Sequence, residues 1–154
     1  MKIKSILIFI AGFLTCAILL FIYSQTFSTT GFFASQLSAP SDKVSEDEIL
    51  LYDDQIILKI PNATIAIYEP SGSMIPIFDN KAHGIRIVPN SSDEINVGDI
   101  ISFRKSGELL VHRVAEKGMD NEGIYFITKG DANIIKDEKI RFDDIEYLTI
   151  GILW

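Results

Sequence analysis

The sequence predicts a mainly β protein, a single N-terminal transmembrane helix followed by a compact antiparallel β-domain with an irregular barrel. Three observations carry this. Ile6 to Tyr23, ILIFIAGFLTCAILLFIY, is an almost unbroken apolar run. From Gln55 onward, short β-branched runs alternate with marked turn residues. Helical periodicity is nearly absent from that second part. The expected division is an anchor over 1–24, a membrane-proximal linker over 25–54 and a β-domain over 55–154.

A chain of 154 residues that is 47% apolar holds one domain's worth of core. Its net charge of −7 comes without any basic cluster, which excludes a nucleic-acid partner, since phosphate binding needs a Lys/Arg footprint.

No charged residue occurs from Ser5 to Ser41. As a helix rising about 1.5 Å per residue, the apolar run within it approaches the roughly 30 Å of a bilayer's apolar core. A cleaved signal peptide would have a shorter hydrophobic region ending at a small-x-small site, so the length favours an uncleaved anchor. Lys2 and Lys4 precede the run, and the next cation is Lys43. Positive charge stays in the cytoplasm, which directs the body of the protein to the outside. Cys16, the sole cysteine, reads as a small apolar residue of the helix and leaves the body without an intrachain disulfide.

Residues 24–41 are uncharged, and Phe27, Phe32 and Phe33 suit the headgroup level. SDKVSEDEILLYDD is acidic, either a short amphipathic helix or a solvated linker. The strands expected next are QIILKI, ATIAIY, GIRIVP, DIISFR, LLVHRVAE, IYFITKG and YLTIGIL, separated by turns such as PSGS, VGD, KSGE and KGDAN. The segment NKAHGIRIVPNSSDEIN, within 79–96, has the look of an inserted loop. Trp154, after the last strand, either packs on the core or meets the membrane. Asn62 and Asn90 head glycosylation sequons, patterns short enough to arise by chance.

Chemistry concentrates around EPSGSMIPIFD, where Ser71 and Ser73 flank a glycine. A serine hydroxyl is a weak nucleophile without a base in hydrogen-bond reach and a group to orient that base. The candidate bases are His83, His112 and the lysines Lys81, Lys105, Lys117 and Lys129. His83 stands in the polar loop DNKAHG. By strand alternation His112 shares a face with Leu110 and Val114, opposite Val111 and Arg113. Taken alone, such a histidine is most often a satisfied core residue. Asp131 follows the glycine turn after IYFIT, with Asp137 in the same loop; the plain alternatives are an Asx-turn and a surface charge. Asp131 and Asn133 fit a calcium loop poorly, because its glycine and terminal glutamate are missing. Nothing calls for a metal or a cofactor.

SGSMIP, then VGDIISF, HRV and KGDAN, in this order on a single-span β-protein, resemble the type I signal peptidases. The branch they are similar to is that of archaea, the endoplasmic reticulum and some spore-forming bacteria. The resemblance covers Ser71 to about Asp137 and the N-terminal anchor. It implies a membrane-bound serine endopeptidase that removes signal peptides from exported preproteins. Ser73 matches the nucleophile, and Met74 and Pro76 the residues that follow it. His112 stands where bacterial-type relatives carry a lysine, which marks the Ser-His branch. Asp131 and Asp137 match the family's two aspartates, the later being the expected partner of the histidine and the earlier a support of the site. Ser71, with the Ser73 backbone N–H, matches the oxyanion hole. The implied partners are signal peptides, the lipid bilayer and the translocation channel. A preference for small residues at the first and third positions before the cut comes with the family. An apolar strip of Ile75, Ile77 and Phe78 is a candidate for the membrane interface. Three other readings stay open: a Ser-Lys or self-cleaving repressor-type peptidase, which His112 argues against, a catalytically silent tethered domain that binds translocating chains or a partner subunit, and a structural surface protein with a β body.

Overall fold

The computed structural model describes residues 12–21 and 37–154. Residues 12–21 are helical, with Phe13, Leu14 and Leu19 exposed. Among the described residues no helix is long and apolar enough to cross a membrane. The rest of the anchor expected over 1–24, and the first part of the expected linker, lie outside the described residues.

Leu37–Trp154 form one compact unit. All seven apolar runs after Gln55 contain strands, as their period-two patterning requires. A separate hairpin pairs β1 (Ile49–Leu51) with β2 (Ile56–Leu58). The main sheet contains β3 (Thr64–Ile67), β4 (His83–Ile87), β5 (Ile100–Lys105), β6 (Glu108–Asp120), β7 (Gly123–Lys129), β8 (Lys139–Ile140) and β9 (Ile145–Leu153). These seven strands are antiparallel throughout, in the order β3-β4-β9-β5-β6-β7-β8.

The end strands β3 and β8 are not paired with each other, so the sheet is open and not the closed barrel the sequence suggests. Closure needs a continuous ladder around the ring, and β8 offers only two residues to it. The segment within 79–96 that has the look of an inserted loop is more than a loop. It supplies β4, which pairs with β3 on one side and β9 on the other. Apolar alternation in GIRI serves an interior position in the sheet, where both flanks need hydrogen bonds.

The centre of the sheet is buried on both faces. Ile101 and Phe103 of β5 point into one core with Val114, Phe126 and Leu148. Ile100, the next residue along, points the other way and joins Tyr68, Met74, Phe78 and Ala82. This explains why β5 reads as an almost continuous apolar run. The second core is a lid of loop residues, with the Tyr68 and Phe78 rings stacked 4.3 Å apart between centroids. Phe78 therefore belongs to the core, while Ile75 and Ile77 remain exposed. Trp154 is 88% exposed, so of its two expected places the core is ruled out.

Met74 is 2% exposed and is the anchor that ties the Ser73 turn to this second core. Met74→Ala is expected to lower unfolding free energy by about 2–5 kcal/mol, the range for emptying a buried aliphatic site. Urea unfolding of the β-domain checks this.

Candidate functional site

β6 places His112 and Arg113 side by side in sequence and on opposite faces of the sheet. The register pairs Ile101 with His112 and Ile100 with Arg113, so each takes the face of its β5 neighbour. His112 lies beside the buried Phe103 ring, 6.2 Å between centroids. Just past Val114 the β6–β7 register shifts by a bulge, which lets β7 and the turn after it approach both side chains.

Each face then receives one aspartate. On the His112 face, His112 Nδ1 lies 2.6 Å from Asp137 Oδ2. The same carboxylate oxygen accepts the Thr128 hydroxyl at 2.7 Å. A carboxylate only accepts, so the hydrogen sits on Nδ1 and the neutral ring carries its lone pair on Nε2. Among the described residues Nε2 has no hydrogen-bond partner.

On the other face, Arg113 holds Asp131 through a two-pronged pair, Nε to Oδ1 at 2.8 Å and Nη2 to Oδ2 at 2.7 Å. The Asp131 carboxylate is fully buried. Arg113 Nη1 also donates to the Gly98 carbonyl at 2.7 Å and to the Ser38 carbonyl at 3.3 Å. Asp131 is thus bonded to the arginine and not to His112.

Ser73 sits in a tight turn between Gly72, whose φ of 69° is in the left-handed region, and the buried Met74. Asp79 Oδ1 accepts the Gly72 N–H at 3.1 Å and braces the turn from its far side. The Ser73 carbonyl accepts the Ala132 N–H at 2.9 Å, which joins the serine turn to the aspartate loop. Gly130 makes that approach possible, because a Cβ there would stand 2.7 Å from the Ser73 carbonyl oxygen. The KGDAN glycine therefore answers to a close backbone contact.

Ser73 and His112 line one open cleft of about 750 Å³, floored by apolar groups including Ala66, Tyr68 and Val111. The Tyr68 hydroxyl is bonded to Thr149 Oγ1 at 2.9 Å, and burial raises its pKa above the ordinary tyrosine value. At the Ser73 end, the two serine hydroxyl oxygens are 3.0 Å apart, and the Ser73 N–H donates to Ser71 Oγ at 3.3 Å. Among the described residues Ser73 Oγ is bonded to Ser71 and has no hydrogen bond to His112.

Of the residues the sequence pointed to, the structure thus joins His112 to Asp137 and Ser71 to Ser73, and His112 lines one cleft with the two serines. His83 starts β4, paired with Ile67 on one side and Leu153 on the other, and is exposed. Lys117 is spent on the Ser92 and Ile95 carbonyls, at 2.9 Å each. Two contributors escaped notice, Thr128 and Arg113. Arg113 is a charge on a strand with buried faces and Thr128 a polar residue in line with the apolar Phe126, so each carried the signal of a polar residue at a core position.

Comparison of the chain with protein-family models, curated proteins and solved structures finds no match.

Asp131→Asn is expected to destabilise the domain by about 3–5 kcal/mol, because it leaves a buried guanidinium uncompensated. The double variant Arg113→Met/Asp131→Leu, which removes both charges, should recover part of that loss in the same urea titration.

Proposed function

We propose that this chain is a serine endopeptidase of the signal-peptidase type. In this reading it is held at a membrane by its N-terminal apolar run and cuts signal peptides from preproteins outside the cytoplasm. The observation that carries the reading is the 2.6 Å contact between His112 Nδ1 and Asp137, made beside the cleft that also holds Ser73. The ordered SGSMIP, HRV and KGDAN motifs supply the substrate class.

In this mechanism the Ser73 hydroxyl turns from Ser71 toward His112 as substrate enters. Its oxygen adds to the scissile carbonyl carbon while the proton passes to Nε2. Asp137 holds the ring in the required tautomer and stabilises the imidazolium that forms. The carbonyl oxygen, now negative, takes the Ser73 N–H from Ser71 Oγ, and the freed Ser71 hydroxyl becomes a second donor to it. Collapse breaks the C–N bond, and Nε2 returns its proton to the departing amine. Water, deprotonated by the same nitrogen, then releases the acyl group as a carboxylate and restores Ser73. The apolar cleft floor suits an extended segment with small apolar side chains. Tethering at the bilayer, where signal peptides emerge, raises the effective concentration of substrate.

A second reading is a catalytically silent, membrane-tethered β-domain that binds translocating chains or a partner subunit. The observation on its side is the bond of Ser73 Oγ to Ser71. Hydrogen bonds of resting sites are often long or misaligned, which weakens that objection to catalysis.

Cleavage of a membrane-inserted preprotein by the full-length chain decides between them. Ser73→Ala and His112→Ala, folded and inserted, are each expected to lower kcat by about 10⁴-fold or more. Wild-type rates in Ser73→Ala would remove the nucleophile. Binding of preprotein without cleavage by any version, wild type included, would leave the silent domain standing.

A further inference from the structure

We infer that Thr128 is the positioning residue that sets the Asp137 carboxylate against His112, an inference that rests on the peptidase reading for its catalytic consequence. Thr128 is fully buried on β7, in line with the buried Phe126 and opposite Val114 of β6. Burial and strand propensity alone are served equally well by valine, which has the same shape without a hydroxyl to satisfy. The hydroxyl has one use here. It donates to Asp137 Oδ2 at 2.7 Å, the oxygen that also faces His112 Nδ1 at 2.6 Å.

The loop that carries Asp137 explains why such a hold is needed. Its apolar residues Ile134 and Ile135 are 96% and 79% exposed, so no apolar side chain of the loop anchors it in either core. Residue 128 grips Asp137 twice instead. The Asp137 N–H donates to the Thr128 carbonyl at 2.8 Å, and the Thr128 hydroxyl fixes the carboxylate itself. Two donors on Oδ2 occupy both of its lone-pair directions and stop rotation of the carboxylate about its last torsion. Thr128 therefore acts on the imidazole through Asp137, without touching substrate.

The test compares Thr128→Val and Thr128→Ser with the wild type, in full-length chain, by preprotein cleavage and by NMR of the His112 ring nitrogens. Thr128→Val is expected to lower kcat about 10- to 100-fold with KM unchanged, the loss of one hydrogen bond to a charged group. It should also weaken the Nδ1–H signal and mix the ring tautomers. Thr128→Ser should restore both, since it keeps the hydroxyl and loses only a methyl. Wild-type kcat and a wild-type Nδ1–H signal in Thr128→Val would overturn the assignment while leaving the peptidase reading intact. If the wild type cleaves nothing, the peptidase reading fails, and the tautomer comparison alone decides whether Thr128 positions Asp137. Should Thr128→Val not fold, Thr128→Ala takes its place in both measurements.

Discussion

The buried pair of Arg113 and Asp131 is the constraint on which the remaining structure leans. A guanidinium inside a protein is tolerable only when its donors find acceptors, and this one reaches a carboxylate and two main-chain carbonyls. Those acceptors belong to three separate stretches of chain: the segment around Ser38, the turn before β5 and the loop after β7. One side chain thus pins three segments that share no continuous backbone. Because successive strand residues face opposite ways, fixing Arg113 also fixes the rotation of β6, and with it the face on which His112 emerges.

The two faces of the central strands do different work. One is a closed core built by Ile101, Phe103, Val114 and Phe126, and it supplies the rigid wall behind the imidazole. The other, between Ile100 and the Tyr68–Phe78 stack, is roofed by the turn that presents Ser73. Ser73 is held by Met74 beneath it and by its carbonyl contact to Ala132. Both halves of the cleft are therefore tied to the segment that follows β7. That segment carries Asp131 into one side of the molecule and Asp137 into the other.

Anchoring differs along this segment in a way that bears on function. Asp131 is locked by a buried ion pair, while Asp137 is held by hydrogen bonds to Thr128 and His112 under an exposed loop. Polar hydrogen bonds give direction where apolar packing gives only proximity. A carboxylate that must orient an imidazole needs direction. The buried hydroxyl of Thr128, which would otherwise be a liability in that core, meets this need.

The sequence by itself determined the seven runs after Gln55 that hold strands, and the serines and histidine that line the cleft. Period-two alternation and turn chemistry are local properties, so they can be read without knowing the fold. The ordering of the strands was decided by tertiary structure. GIRIVP looks alike whether it lies in an insertion or inside a sheet, because the difference rests on β9 returning from the far end of the chain to pair with it. The open ends of the sheet follow from the shortness of β8, a strand too brief to announce itself in the pattern. Turn chemistry alone does not tell Asp131 from Asp137, and the later one was the expected partner of the histidine only through the motif resemblance. The alternating faces of β6, with arginine on one and histidine on the other, supply the physical reason for the sorting.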